Sequence, residues 1–461
     1  MKPLKLGEIA QAVGGKLNNP EAAELTVNGV SIDTRQNQEG KLFVALKGMN
    51  VDGHQFLEDA VKKGAACVLS EVETSVNAVI VGNSMDALGA LAAYYRGLFD
   101  VKVVGITGSS GKTSCKDMIA SVVGEGMNVI KTEGNYNNEI GMPLTIFNIT
   151  EDTRVAVLEM GMNNRWEIHR LSKIARPDIC VITNIGFAHI ENLGSQEEIF
   201  NAKSEIMDFM AEDGQIFLYG DDEFLMRHSD KPNVTYFGRG EHNAYRPERE
   251  REDGLEGSSF IVHLKNGGDG VFYLPTPGEH MVTNALAAVA IGDYLGLEPA
   301  QIAAGLLKFG SSGMRNDIIN TDSGIRIISD CYNANPDSMK AGLDVLALSE
   351  GTTVAILGDM FELGELAAVL HREVGAHAAQ LCIDTIICVG TLAEGLYEGA
   401  YEVYNRGASS SQVIYFQSRD ELIQHMHRIV APGDTVLVKA SRGMRFEEIV
   451  NKLERMICLE S

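Results

Sequence analysis

The run Gly105-Ile106-Thr107-Gly108-Ser109-Ser110-Gly111-Lys112-Thr113-Ser114 brings together the residue types that phosphate chemistry needs. Glycines let backbone N–H groups turn inward around phosphate oxygens, and a helix starting here adds the positive end of its dipole. Thr107, Gly108, Ser109, Ser110 and Gly111 would form the cradle. Lys112 can reach β- and γ-phosphate oxygens, and the Thr113 hydroxyl can ligate Mg²⁺. The usual G-x-x-x-x-G-K-[ST] spacing is not strictly met. Ile106 stands where its first glycine would be, flanked by Gly105 and Gly108. A turn that merely joins strand to helix is the alternative. Strand, Gly-Lys-Thr and helix falling in register argue against it.

Such a loop works only between a strand and a helix. The β-branched run 101–105 precedes it and a helical pattern over 112–123 follows. Further buried-strand patterns fall at 155–158 and 179–183, each followed by polar residues. Alternating strand and helix signals predict a parallel sheet covered by helices. The Ala-rich stretch 284–295 reads as a helix, and 239–270 as an antiparallel or loop insertion. After Gly313 a second α/β unit begins, with strands expected at 325–328, 354–357, 385–389, 413–416 and 435–438. Helices between them predict a smaller doubly wound sheet. The first hundred residues mix short strands, such as 41–46 and 66–69, with a few helices, the last over 84–98. Domain boundaries are expected near 99 and 314, giving domains 1–98, 99–313 and 314–461.

Length agrees: 461 residues at about 150 per domain means about three domains. A 45% hydrophobic and 22% charged composition is that of a globular chain. The formal charge is 39 − 63 = −24, which repels a polyanion and argues against nucleic acid as partner. An anionic small molecule stays compatible, because a local pocket can oppose the global charge. The seven cysteines are scattered with no CxxC pair, a pattern of reduced thiols and not of a disulfide framework or zinc site. No apolar run approaches the roughly 20 residues of a membrane span, and the start lacks a signal-peptide h-region. The expectation is a cytoplasmic enzyme.

Several segments resemble the Mur ligases, the ATP-dependent amide-forming enzymes of peptidoglycan precursor synthesis. They are the loop itself, Thr132-Glu-Gly134-Asn135-Tyr-Asn137-Asn138-Glu-Ile-Gly141-Met-Pro143, Glu159-Met-Gly161 and Thr183-Asn184-Ile-Gly186-Phe-Ala-His189. Asp330-Cys-Tyr332-Asn333-Ala-Asn335-Pro336-Asp-Ser338 and Gly358-Asp359-Met-Phe-Glu362-Leu-Gly364 narrow the resemblance to members that add D-alanyl-D-alanine to UDP-N-acetylmuramoyl-tripeptide. The resemblance implies a UDP-sugar domain, a central phosphate-loop ATPase domain and a mobile Rossmann-like C-terminal domain. It also implies a monomer using ATP, Mg²⁺ and an acyl-phosphate intermediate. Trp166 departs from the pattern where glycine is expected, and Tyr219-Gly220-Asp221-Asp222 where an Asn is commoner.

Amide formation from a carboxylate requires its activation, and phosphoryl transfer is mostly positioning and charge neutralisation. Glu159 ends a strand, so its carboxylate can face the phosphates and hold Mg²⁺; a solvated loop acid is the plain alternative. By resemblance, His189 helps hold a metal and Lys203 is carbamylated by CO₂, giving an anionic ligand for a second Mg²⁺. Taken alone, His189 would be a structural histidine and Lys203 a surface lysine. Asn284 starts the 284–295 helix and by resemblance contacts adenine, though Asn serves equally as an N-cap. Arg315 would reach ATP phosphate when the last domain closes, and Asp330 would accept from the ribose. The resemblance places Asn137, Asn138, Tyr332, Asn333 and Asn335 against substrate; Asn333 and Asn335 also fit a plain turn. Lys439-Ala-Ser441-Arg442 is either a peptide-carboxylate site or a surface loop. Ser31, Thr34 and Arg35, with Asp52-Gly53-His54, resemble the nucleotide-sugar segment, with Arg35 either facing the diphosphate or paired with Asp33 at the surface.

Three other readings compete. A sister ligase adding a diamino acid to the dipeptide precursor carries an Asp-Asn-Pro motif with a following Arg. The stretch here, Asn333-Ala-Asn335-Pro336-Asp337, is different. A folate polyglutamate ligase is weakened by the UDP-type first domain. A non-catalytic nucleotide-binding module would not need Lys112, Thr113, Glu159, His189 and Lys203 together.

Overall fold

A computed structural model describes residues 1–265, 268–310 and 313–456. The strands of the larger N-terminal sheet are β1 (Lys16–Leu17), β2 (Val30–Ser31), β3 (Leu42–Val44), β4 (Cys67–Ser70) and β5 (Ala78–Ile80), followed by helix α1 (Ser84–Arg96). They form a five-stranded sheet in the order β1-β5-β4-β3-β2, parallel except for the β1/β5 pair. Phe43, Ala45, Leu57, Ala60 and Val68 make its core. Asn83 caps α1 through its side chain, which accepts from the Asp86 N–H at 2.9 Å.

The central elements are β6 (Lys102–Thr107), α2 (Lys112–Val123), β7 (Val129–Lys131), α3 (Gly141–Ile146), β8 (Val155–Glu159), α4 (Glu167–Ala175), β9 (Ile179–Ile182), α5 (Ile190–Leu193), α6 (Gln196–Ser204), β10 (Gln215–Tyr219) and β11 (Val234–Phe237). The sheet order is β11-β10-β9-β6-β8-β7. β8 runs parallel to both β6 and β7, with Leu158 opposite Gly105 and Glu159 opposite Ile106. Every residue of β8 and β9 is buried, as expected of strands covered on both faces.

The stretch expected to be an insertion is an antiparallel sheet of β12 (Glu248–Glu252), β13 (Ser258–Leu264) and β14 (Gly268–Leu274). Helices α7 (Glu279–Tyr294) and α8 (Pro299–Leu307) follow. α7 is buried almost all round, so it carries no single apolar stripe. The C-terminal elements are β15 (Asp317–Asn320), β16 (Arg326–Ser329), α9 (Pro336–Ala347), β17 (Thr353–Gly358), α10 (Ala367–Gln380), β18 (Thr385–Val389), α11 (Glu394–Asn405), β19 (Gln412–Phe416), β20 (Thr435–Lys439) and α12 (Glu447–Glu454). Their order is β15-β16-β20-β17-β18-β19, parallel except for the β15/β16 hairpin. Ile327, Ile356, Ile387, Val436 and Val438 anchor the core on this sheet. Each such side chain removed from water contributes about 1.5–3 kcal/mol.

The chain divides into two compact units. One comprises Met1–Thr107, Met127–Val181 and Ala202–Ile216; the other comprises Gly108–Gly126, Ile182–Asn201 and Phe217–Ser461. The second unit therefore holds the turn after β6, the loop after β9 and the whole C-terminal sheet. No helix among the described residues is long and apolar enough to cross a membrane. Six of the seven cysteines are described and unbonded; Cys458 lies outside the described residues.

Candidate active site

The phosphate loop is held by side chains from the segment after β9. The Asn184 carboxamide oxygen accepts from the N–H groups of Ser109 at 3.1 Å and Ser110 at 2.9 Å. Its amide donates to the Ser110 hydroxyl at 2.8 Å. The Thr183 hydroxyl donates to the Ser110 carbonyl at 2.6 Å, and the Gly186 N–H to the Ser109 hydroxyl at 2.8 Å. Gly108 takes φ 154°, and a Cβ there would collide with the Thr183 hydroxyl. Gly111 takes φ 77° and caps α2; a Cβ there would lie 2.8 Å from the Asn284 Oδ1. Both positions therefore require glycine. Thr107 ends β6, buried. Lys112 folds back over the turn, its Nζ donating to the carbonyls of Gly108 at 2.6 Å and Ser109 at 3.3 Å. Thr113, buried, begins the first turn of α2. The first bond inside that helix runs from the Cys115 N–H to the Gly111 carbonyl. In any helix the N–H groups ahead of that bond need acceptors from outside, which phosphate oxygens provide.

Asn284 sits inside α7, five residues beyond its first residue, Glu279, and not at a helix start. Its capping alternative therefore fails: the N-cap is Gly278. The side chain is instead presented to Gly111.

In the first unit, Glu159 ends β8 and is 2% exposed, so it is no solvated loop acid. Its Oε1 accepts from the Asn137 amide at 2.8 Å, and its backbone N–H donates to the Thr132 hydroxyl at 3.0 Å. Asn137 thus fixes a carboxylate. Asn138 does a different job, its Oδ1 accepting from the N–H groups of Ile140 and Gly141 at the entry to α3. Lys203, near the end of α6, is 1% exposed, which overturns its reading as a surface lysine. Two residues on, the buried Glu205 accepts from Arg165 Nε and the Trp166 N–H, each at 3.0 Å, and from the His169 N–H at 3.2 Å. Trp166 has φ 70°, which explains why glycine is the expected residue there. Its indole is 55% exposed.

Beyond residue 314, the Arg315 guanidinium stacks on the Tyr332 ring at 4.1 Å, and Arg442 approaches the same ring at 5.9 Å. Asp330 accepts from Lys439 Nζ at 2.5 Å, and the Asn333 carbonyl accepts from it at 3.3 Å. Lys439 is buried in that pair, so it is no surface-loop lysine. Asn335 is the N-cap of α9, its Oδ1 accepting from the Ser338 N–H at 2.8 Å. Burial pushes the Asp337 carboxyl above the usual carboxylate range; it accepts from the Phe187 N–H and fills the space a Gly186 side chain would take. His189 Nδ1 lies 2.6 Å from Glu362 Oε2.

In the N-terminal sheet, Ser31 is buried and accepts from Gln38 Nε2 at 3.0 Å. The Thr34 carbonyl accepts from Lys63 at 3.2 Å. Arg35 is 87% exposed and paired with Asp33 at 2.7 Å. Asp52 caps the turn Gly53–Phe56 and holds His54 Nδ1 at 2.7 Å.

Among the described residues, no three His, Cys, Asp or Glu side chains gather into a metal cage. Mg²⁺ rarely uses one. It keeps waters and binds through one or two carboxylates plus substrate phosphates. The buried carboxylate of Glu159 and the hydroxyl of Thr113 are each oxygen donors of the kind that ion takes, whereas the His189 imidazole is a softer donor. Asn184 and Glu362 were not singled out from sequence as site residues. Asn184 had one usable signal, its place just after a predicted strand. Glu362 had none of its own.

A phosphate loop braced from the next strand's end, with a second doubly wound sheet beyond it, defines a nucleotide-dependent α/β enzyme class. Known proteins narrow that class. The Mur ligase family catalytic domain matches residues 26–96, the Mur ligase middle domain 106–292, and the Mur ligase glutamate ligase domain 314–442. UDP-N-acetylmuramoyl-tripeptide--D-alanyl-D-alanine ligase of Bacillus subtilis is 40% identical over 452 residues, covering 96% of this chain and 97% of its own. The crystal structure of MurF from Acinetobacter baumannii superposes with TM-score 0.91 at 29% identity, over 99% and 100% of the two chains. MurF ligase from Thermotoga maritima, in complex with ADP, gives TM-score 0.81 at 28% identity over 93% and 97%. The chain belongs to the Mur ligase family.

Proposed function

We propose that this chain couples ATP hydrolysis to ADP with addition of D-alanyl-D-alanine to UDP-N-acetylmuramoyl-tripeptide. The observation that carries this reading is full-length similarity to ligases of that name, with Lys112, Thr113, Glu159, His189 and Lys203 all present. The tripeptide carboxylate attacks the γ-phosphorus of ATP, giving an acyl phosphate and ADP. The D-alanyl-D-alanine amine then attacks the carbonyl carbon, and the tetrahedral intermediate expels phosphate. Lys112, already poised over the loop, neutralises charge on the transferring phosphoryl oxygens. The backbone cradle of residues 107–113 orients the triphosphate. Asn284, beside Gly111, is suited to contact the adenine, and Arg315 and Asp330 to reach the nucleotide. Thr113 and Glu159 would be ligands of the ATP-bound Mg²⁺, and His189 of the second; the ions would offset charge on the phosphate oxygens.

A carbamate on Lys203 would supply a further anionic oxygen ligand. It forms only on a neutral amine, and burial is the first condition for one. Ser31, Thr34 and Arg35 take the UDP-sugar, Arg35 exchanging Asp33 for diphosphate. Asn137, Asn138, Tyr332, Asn333 and Asn335 line the peptide end. Domain boundaries fall near 99 and 314. The chain acts as a monomer in the cytoplasm, where ATP and UDP-activated precursors are available. Phosphate release with UDP-N-acetylmuramoyl-tripeptide and a panel of amines tests the reading. D-alanyl-D-alanine should support turnover. Turnover only with a diamino acid and the dipeptide precursor would overturn it.

A further inference from the structure

We propose that Glu362 is a positioning residue for His189, fixing its imidazole so that Nε2 carries the lone pair offered to the metal. This rests on the reading of His189 as a Mg²⁺ ligand in the ligase reaction. The geometry begins with the 2.6 Å contact between Glu362 Oε2 and His189 Nδ1. Nδ1 is buried and makes no well-aligned hydrogen bond, yet it faces at 2.6 Å an oxygen that only accepts, so a neutral imidazole carries its proton on Nδ1, where two lone pairs would otherwise repel. The lone pair is then left on Nε2. Metal-binding histidines use this arrangement, in which the other ring nitrogen donates to a carboxylate that sets tautomer and orientation.

An exposed ion pair would be the bland explanation, since the Glu362 side chain is 49% exposed. The backbone argues otherwise. His189 has φ 64° and Glu362 has φ 63°, so both partners are non-glycine residues in the left-handed region. Such strain persists only where the surroundings over-determine it, and it clusters at functional sites. The surroundings do so here. The Glu191 N–H donates to the Glu362 carbonyl at 3.1 Å, which ties the Glu362 turn to α5. Gly364, at φ 53°, has space for a Cβ only 3.4 Å from Glu191 Cα. On its other side the turn is anchored by the Phe361 N–H donating to the Ser441 hydroxyl at 2.9 Å. A chance surface pair needs none of this. Glu362 belongs to the segment after residue 314, whereas His189 follows β9. Docking of the C-terminal segment and orientation of a metal ligand are therefore one event.

The test uses the full chain with ¹⁵N-labelled histidine and Mn²⁺ as the spectroscopic probe, titrated in the presence of ADP. In metal-free wild type, long-range ¹⁵N–¹H correlations should show His189 as the Nδ1–H tautomer. Glu362→Ala should give a mixed tautomer and weaken Mn²⁺ binding about ten- to hundredfold. Glu362→Gln, which keeps an acceptor at the same place, should recover most of that loss and guards against misfolding. An Nε2–H tautomer in wild type, or Mn²⁺ affinity in Glu362→Ala within about twofold of wild type, overturns the proposal. If His189→Ala leaves Mn²⁺ affinity unchanged, the ligand assignment falls and the proposal with it. The ligase reaction is judged separately, by turnover of the wild-type chain.

Discussion

The phosphate loop and the Ser31–Arg35 turn, both proposed to receive anionic phosphates, are built differently. In the loop, Ser109 and Ser110 are held by three side chains or backbone groups from residues 183–186, and Lys112 already leans on two carbonyls. In the turn, the buried Ser31 and Gln38 form a rigid base, but the charged group that would meet diphosphate is 87% exposed. Among the described residues it pairs with its neighbour Asp33 alone. The difference follows from what each site must do. Transition-state charge is stabilised by groups that need no rearrangement, so the loop is preorganised. Ground-state binding of a sugar nucleotide tolerates an arginine that exchanges one anion for another.

Substitutions should separate the two. The largest effect is expected at Lys112. Lys112→Ala should lower kcat by about a thousandfold in steady-state ADP release, with far-UV circular dichroism unchanged. Loss confined to KM would show that the lysine only binds. Lys203→Ala should lose about a hundredfold in kcat while still binding UDP-tripeptide, and added acetate should restore part of the rate. An alanine variant with full activity and no added carboxylate removes the carbamate from the account.

On the sugar side, Arg35→Ala should raise KM for the UDP-substrate about tenfold and leave kcat within about twofold. A kcat loss matching that of Lys112→Ala would erase the distinction between the two regions. A histidine near the start of α7 carries a cost in acid. Burial holds His280, at the start of α7, down to about 4 from its ordinary 6.5. Between those values the unfolded chain binds more protons than the folded one, so stability falls as pH drops through that window. His280 is half-buried as a residue, so the loss should be about 1–2 kcal/mol. Denaturant melts of wild type and His280→Gln at pH 7 and pH 4.5 measure it, and the variant should show a shallower difference. The smallest effect is at Asn335. Asn335→Ala should cost about 1 kcal/mol through loss of the α9 cap, and Asn335→Asp should cost little.

Much of this architecture was legible because it is written in local pattern. The helix after the loop runs from Lys112 to Val123 as its periodicity predicts, and the strand at Thr385–Val389 falls on its expected residues. Helix α7 was read as starting at Asn284, because the Ala-rich run begins there. Its first turn, at Glu279, follows Gly278 and has no repeating pattern of its own. What could not be read was who holds whom. Asn184 braces Ser109 and Ser110 across the fold, and Glu362 meets His189 from a distant segment. No window of sequence contains both partners. The burial of Lys203 and Lys439 was equally hidden, since a lysine near a helix or strand end reads as a surface residue until the packing around it is known. Trp166 is the instructive middle case: glycine was expected, and the left-handed backbone found there is the reason.

The central claim is that phosphoryl transfer to the tripeptide carboxylate precedes amide formation with D-alanyl-D-alanine. Mass spectrometry of a reaction run with UDP-N-acetylmuramoyl-tripeptide labelled with ¹⁸O in its terminal carboxylate tests this most directly. The account predicts a product heavier by D-alanyl-D-alanine less water, and one ¹⁸O per turnover in the released phosphate. Product formed with no ¹⁸O in phosphate, or ¹⁸O transfer that ignores D-alanyl-D-alanine and yields no amide, would contradict it.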